Sequence, residues 1–237
     1  MIPEPSLNIW EHSSQAAELY ALRAAGEAEE MDASAQAVEL LAPFIQNFDR
    51  PAKLLDAGCG SGYLWHSFKS RDLGVDYYGL DYSPSLINIG RRILPDLGLP
   101  AEKLICGAME DLDGLSFDLI TLINTLTCCP DFRQPLDRLA LTGARVILIR
   151  DNFGPETVIR WEEDGYLDPG YNHLKAYWNR WSLGEVSSFL SEYGFRSEAI
   201  IDRRTSGEME LVVDKPYFWS WLLAVRDAPT GAMGRRG

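Results

Sequence analysis

The sequence predicts an α/β fold with a doubly wound, mostly parallel sheet, on three observations. From Ala52 onward, apolar strand-like runs alternate with helix-like segments, the arrangement of parallel strands joined by crossover helices. The runs FDLITLIN (117–124) and ARVILIR (144–150) are apolar on both faces, as strands covered by helices on each side must be. Two of the predicted strands end in a carboxylate, Asp56 and Asp81, at the strand ends where open α/β sheets hold their ligands.

The elements follow in order. Residues 1–50 read as a helical segment covering the site. Ser13 or Ser14 caps a first helix carrying Ala16, Ala17, Leu19, Tyr20 and Leu22 before Gly26. A second places Val38, Leu41 and Ile45 on one stripe, with Pro43 disturbing its end. QNFDRP, ending at Pro51, is the hinge into a core over 51–151. Strands are expected near Lys53–Asp56, Tyr78–Asp81, Lys103–Cys106, Asp118–Asn124 and Val146–Arg150. Ser83-Pro84 starts a helix, with a hydroxyl cap and proline in the first turn. The link from Cys106 to Phe117 is short for a parallel crossover.

Residues 152–181 break the alternation with seven aromatics in thirty positions, against 11% aromatic for the chain. They read as an inserted aromatic-rich cap over the acceptor site or, alternatively, as an insertion packing a small core of its own. The core resumes over 182–230. Ser182 and Glu185 form a capping box, Gly194 ends that helix, and strands are expected near Ala199–Arg203 and Tyr217–Val225. The tail 231–237 is expected to be disordered.

Composition narrows the function classes. The 237-residue chain has 46% hydrophobic residues and a net charge of −13, which opposes phosphate backbones and argues against a nucleic-acid partner. No stretch approaches the ~18 apolar residues that cross a bilayer, and no basic start leads an apolar run. The four cysteines lack CxxC spacing and read as buried thiols in a reducing compartment. A cytoplasmic protein with no membrane partner is expected. No Cys/His/Asp cluster has metal-ligand spacing.

The chemistry concentrates after the first strand, where Asp56 precedes Gly58, Gly60 and Gly62. Without Cβ atoms, that turn lets a ligand approach the backbone closely. A G-x-G-x-x-G dinucleotide loop would put its third glycine at Tyr63. Asp56 would also oppose a pyrophosphate, at a cost of about a few kcal/mol in a partly dry cleft. It suits a cation, such as the sulfonium and ammonium of S-adenosylmethionine. Asp81 lies nineteen residues after Gly62, the distance at which an acidic residue accepts from ribose hydroxyls.

At this point LLDAGCGSG (54–62) and GLDYSPSLI (79–87) resemble the first two motifs of the class I S-adenosylmethionine-dependent methyltransferases. ICGAMEDL from Ile105 and FDLITLINTL from Phe117 resemble the third and fourth, so the likeness covers about residues 52–150. The resemblance implies a Rossmann-like seven-stranded sheet with its last strand antiparallel. It implies cofactor contacts from Asp56, Gly58, Cys59, Gly60 and Gly62, from Asp81, from Ala108 and Met109 beside the adenine, and from Asn124. Many relatives carry an aspartate where this chain has Ala108; backbone groups, Glu110 or Asp111 must then serve the adenine amino group. Tyr82 and Leu86 pack on the adenine or are ordinary core. Tyr20 and Arg23 share neighbouring faces of the first helix, the arginine either pairing with the cofactor carboxylate or lying on the surface.

The expected reaction is methylation of a small-molecule acceptor at oxygen or nitrogen, by in-line displacement that requires alignment, dryness and sometimes a base. A dinucleotide-dependent oxidoreductase and a non-catalytic S-adenosylmethionine-binding relative are the alternatives. Arg150, Tyr166, Tyr171, Tyr177, Trp178 and Asn179 are the candidate acceptor contacts. His173 is the candidate general base. The Asp/Asn/Ser-Pro-Pro-aromatic turn of amide and base-amino methylation is absent at Asn124–Asp131, and the order Cys129-Pro130 disfavours cytosine methylation.

Overall fold

The computed structural model describes residues 8–112 and 114–226. Helix α1 (Ser14–Ala25) is capped by the Ser13 hydroxyl and ended by Gly26 in the left-handed region. It is followed by α2 (Asp32–Ile45), with Pro43 in its last turn. The core then runs β1 (Ala52–Ala57), α3 (Leu64–Ser70), β2 (Val75–Asp81), α4 (Pro84–Leu97), β3 (Leu104–Cys106), β4 (Leu119–Ile123), α5 (Arg133–Leu141) and β5 (Val146–Gly154). Ser83 caps α4 as its hydroxyl and the following proline predict. The short link after β3 is met by a single 3-10 turn, Met109–Asp111, in place of a helix.

The sheet order is β3-β2-β1-β4-β5-β12-β9, seven strands along one path. β1, β2, β3, β4 and β5 pair in parallel. β12 (Trp219–Val225) runs antiparallel between β5 and β9 (Arg196–Ile201). Neighbouring residues such as Leu54 and Leu55 enter opposite cores, one with α2, α3 and α4, the other with α5 and α6 (Leu183–Glu192). This two-sided burial is what the doubly apolar strand runs predict. The tail 231–237 lies outside the described residues.

β5 runs four residues beyond its expected end at Arg150, because it stays paired with β12 to Asn152 and then with the two-residue β8 (Trp181–Ser182). The cap proper is the hairpin β6 (Trp161–Glu163) and β7 (Lys175–Tyr177). A second hairpin, β10 (Glu210–Val212) and β11 (Lys215–Tyr217), goes unread in the sequence. Leu167, Leu174, Ala176 and Trp178 of the cap pack with Tyr217, Trp219 and Ile9 into one cluster. The insertion thus has a core of its own, completed by the second hairpin and the N-terminal segment. The four cysteines are free, and Cys106 is exposed rather than buried, because β3 is the edge strand. No described helix is long and apolar enough to cross a membrane.

Asn179 locks this cap to the core. It is fully buried. Its side chain donates to the Cys129 carbonyl at 2.7 Å and accepts from the Arg160 amide at 2.9 Å. Its backbone carbonyl accepts from the Thr127 hydroxyl and the Asn152 amide. Asn179→Ala strands two buried backbone groups and is expected to cost about 2–4 kcal/mol, read as a lowered urea midpoint with an unchanged m-value.

Candidate cofactor and acceptor site

The site forms at the carboxyl ends of β1, β2 and β4. Asp56 is 3% exposed and accepts from the Tyr77 hydroxyl at 2.6 Å and the Thr121 hydroxyl at 3.0 Å. One carboxylate thereby ties three adjacent strands beneath the glycine turn. Burial pushes its pKa up to about 6, against the two hydroxyls that favour the charged form. Each of its two oxygens accepts from one protein hydroxyl. It holds a charge under the turn.

Four of the turn's amides are engaged by protein. The Gly58 and Cys59 amides both donate to the Leu80 carbonyl, and the Gly62 amide donates to Cys59. The Gly60 amide donates to Asp81 at 2.8 Å. A pyrophosphate loop needs such amides free, so this turn is built for a different ligand. Gly58 and Gly60 both have positive φ. A Cβ on Gly58 would lie 2.3 Å from Thr125, and one on Gly60 would lie 2.3 Å from the Tyr20 ring.

Asp81 also accepts from the Ser83 amide, at 2.9 Å. Each oxygen then carries one N–H and keeps capacity to accept from a ribose hydroxyl. Burial raises its pKa to about 6. The turn after β3 reaches it, the Gly107 amide donating to the Asp81 carbonyl. This sets Ala108 and the 3-10 residues Met109 and Glu110 beside the same strand end. Asn124 closes β4 in the left-handed region, φ 58°, a conformation asparagine tolerates, with its amide on the Arg150 carbonyl.

The N-terminal segment covers these residues. Tyr20 packs edge-on against Trp10 and Tyr63, and the Arg23 guanidinium lies over the Tyr20 and Tyr63 rings. Arg23 and Tyr63 line a cleft of about 610 Å³ with His66 and Glu30. Arg23 is thus a packed residue and not a free surface one. Leu86 is ordinary core between α1 and α4. Tyr82 is half-buried at the start of the loop into α4.

The candidate acceptor residues divide. Arg150 is buried midway along β5. Trp178 lies in the cap core and Tyr177 leans on Trp161. Asn179 is fully buried with its side-chain amide engaged in the lock described above. Tyr166 is 58% exposed with its hydroxyl on Asp214, and Tyr171 stacks on His12 at 4.0 Å. His173 sits on the exposed turn before β7. It belongs to the cap hairpin, on its solvent side. Burial pushes the Cys128 thiol up to about 12, so it stays protonated and is no thiolate nucleophile.

Sequence reasoning missed Tyr77, Thr121, Thr125 and Glu11. Glu11 receives the Ser83 and Ser85 hydroxyls and the Ser85 amide at the N-terminus of α4, where a carboxylate is favoured. The one available signal was Thr121, a hydroxyl inside an otherwise apolar strand run.

The raised Asp56 pKa has a defined sign. The folded state binds this proton more tightly than the unfolded chain, so the group's contribution to stability is full below pH ~4 and is lost as pH rises through about 6. Asp56→Asn is expected to flatten that fall in melting temperature between pH 4 and 6. Melts in which the variant keeps the full slope contradict the assignment.

Residues 55–141 match the family model described as a methyltransferase domain. No curated protein sequence matches the chain. Among solved structures, magnesium protoporphyrin IX methyltransferase from Synechocystis with bound S-adenosylmethionine is similar at TM-score 0.59 and 16% identity, covering 94% of this chain and 98% of that one. An S-adenosylmethionine-dependent methyltransferase from Clostridium acetobutylicum is similar at 0.60 and 13%, covering 90% and 98%. An amino pentose methyltransferase from Micromonospora echinaspora is similar at 0.57 and 17%, covering 89% and 96%. The matched segment spans the glycine turn, both strand-ending carboxylates and Asn124; over it the chain is similar to a methyltransferase domain, on the same fold as these S-adenosylmethionine-dependent enzymes.

Proposed function

We propose that this protein methylates a small-molecule acceptor at oxygen or nitrogen, binding its cofactor over the glycine turn against Asp81. The engaged turn amides carry this reading: the Gly60 amide is held by a carboxylate, which suits a cationic nucleoside and repels a phosphorylated one. The bound cofactor supplies an activated methyl group on a sulfonium. The chain's own residues do the rest. Asp81 grips the ribose, and the Ala108–Met109 turn lies beside the adenine. Gly58 and Gly60 let Thr125 and the Tyr20 ring close against the turn, and Tyr20 and Trp10 cover the cleft.

The acceptor enters above the ends of β4 and β5, under the cap. Small acceptors are favoured because the N-terminal segment and the cap are joined across that edge, the Ser14 amide and hydroxyl donating to Asp168 and the Asp168 amide to His12. Two of the similar structures are named for small substrates, a porphyrin and an amino pentose. Asp151, fully buried, has one carboxylate oxygen without a partner and is pushed to about 6 by burial. At neutral pH it is a carboxylate able to take a proton at that strand end.

Incubation with methyl-labelled cofactor and fractionated metabolite pools is expected to put label into acid-soluble compounds of low mass; label only in protein or nucleic acid overturns the reading. Asp81→Ala is expected to weaken cofactor binding by about 1–3 kcal/mol in calorimetry. Affinity for S-adenosylmethionine is expected to rise about tenfold from pH 5 to pH 7 as Asp56 and Asp81 ionise near 6. S-adenosylhomocysteine, which lacks the sulfonium, is expected to show a smaller rise.

A further inference from the structure

The guanidinium of Arg150 is one of the largest fully buried side chains in the molecule, at 2% exposure. Burying such a group is unfavourable unless each face and edge is matched. Three of its features are. Nε donates to Asp202 at 2.6 Å, Nη1 donates to the Asn124 side-chain oxygen, and the plane lies 4.4 Å from the Trp219 ring centre. Nη2 is buried with no hydrogen-bond partner.

Neither of its hydrogen-bonded neighbours supplies one. The other oxygen of Asp202 accepts from the amide and hydroxyl of Thr205, both at 3.1 Å. Asn124 has a single side-chain oxygen, already engaged by Nη1. The side chains around the guanidinium also say where it stands. Asn124 ends β4 next to the glycine turn, and Trp219 belongs to the apolar cluster of the cap. Arg150 therefore sits at the seam between the cofactor turn and the cap.

We propose that Arg150 is a carboxylate receptor, its Nη2 edge donating to a carboxylate of a ligand bound at this seam. The placement rests on the methyltransferase reading; the chemistry rests on the unmatched edge. A guanidinium edge prefers an anionic oxygen over a neutral one and forms shorter, stronger hydrogen bonds to it. Two molecules can bring such a group here: the cofactor, through its amino-acid end, or the acceptor, through a carboxylate of its own.

The test uses the full chain and a double variant, Arg150→Gln with Asp202→Asn, which removes both charges and leaves no lone buried carboxylate. The first arm is calorimetry with S-adenosylmethionine and decarboxylated S-adenosylmethionine, which differ in the carboxylate alone. If the cofactor is the source, the wild type prefers the carboxylated form by about tenfold or more, and the double variant by less than about threefold. The second arm titrates acetate, with acetamide as the neutral control, into protein saturated with S-adenosylhomocysteine. If the acceptor is the source, acetate raises the melting temperature of the wild type and not of the variant.

A carboxylate preference and an acetate response that are the same in both proteins overturn the proposal. If the double variant does not fold, Arg150→Lys decides. It keeps the charge beside Asp202 but loses the forked edge, so the same losses are expected and unchanged responses overturn the idea. Wild-type protein that binds neither form of the cofactor defeats the methyltransferase reading itself, which separates the two failures.

Discussion

The hydrogen bonds from Tyr77 and Thr121 to Asp56 are the constraint on which the rest of the site depends. They come from the strands on either side of β1, so three strand ends are brought level by one buried carboxylate. A buried charge is tolerated only where its lone pairs are met, and here two hydroxyls meet them. The glycine turn that follows then has nowhere to go but over Leu80 and Asp81, whose backbone carbonyl and side chain take its first three amides. Ligand preference follows from that geometry. A turn with its N–H groups engaged and carboxylates below and beside it presents negative field, and selects a cation.

The covering of the site is assembled from pieces distant in sequence. The N-terminal segment meets α4 through Glu11, the glycine turn through Tyr20, and the cap through Ser14 and His12. The cap in turn is held to the core by Asn179 and closed by the β10–β11 hairpin, whose Tyr217 hydroxyl lies 3.2 Å from that of Thr127. The N-terminal segment also buries an apolar face, with Ile9 in the cap cluster and Ala24 against Leu86 and Ile89 of α4.

How much of this was legible differs from element to element. β1 and β2 were readable because doubly apolar runs ending in a carboxylate before a glycine turn or a Ser-Pro cap have one common structural solution. The end of β5 was not, because its last four residues, Asp151 to Gly154, break the apolar run with two polar residues and a glycine and are held by partners on β8 and β12 that lie far along the chain. Tyr166, Tyr171 and His173 looked like a binding set because aromatics and a histidine cluster in the sequence. Clustering along a hairpin does not say which face points inward. Trp178 went into the cap core while Tyr166 and Tyr171 went outward.

The sequence by itself determined the α/β architecture, the position of the glycine turn and the identity of the two strand-ending carboxylates, since hydrophobic periodicity and glycine's backbone freedom act over a few residues. Only the tertiary structure decided what those carboxylates do. Asp56 turned out to bind strands together and Asp81 to hold the turn, because their partners, Tyr77, Thr121 and Gly60, arrive from other segments. Arg150 was likewise visible as a charge in an apolar strand, but its unmatched edge exists only once Asp202, Asn124 and Trp219 have closed around it. Hydrogen-bond satisfaction in a buried site is a property of distances between segments, and local sequence does not carry those distances.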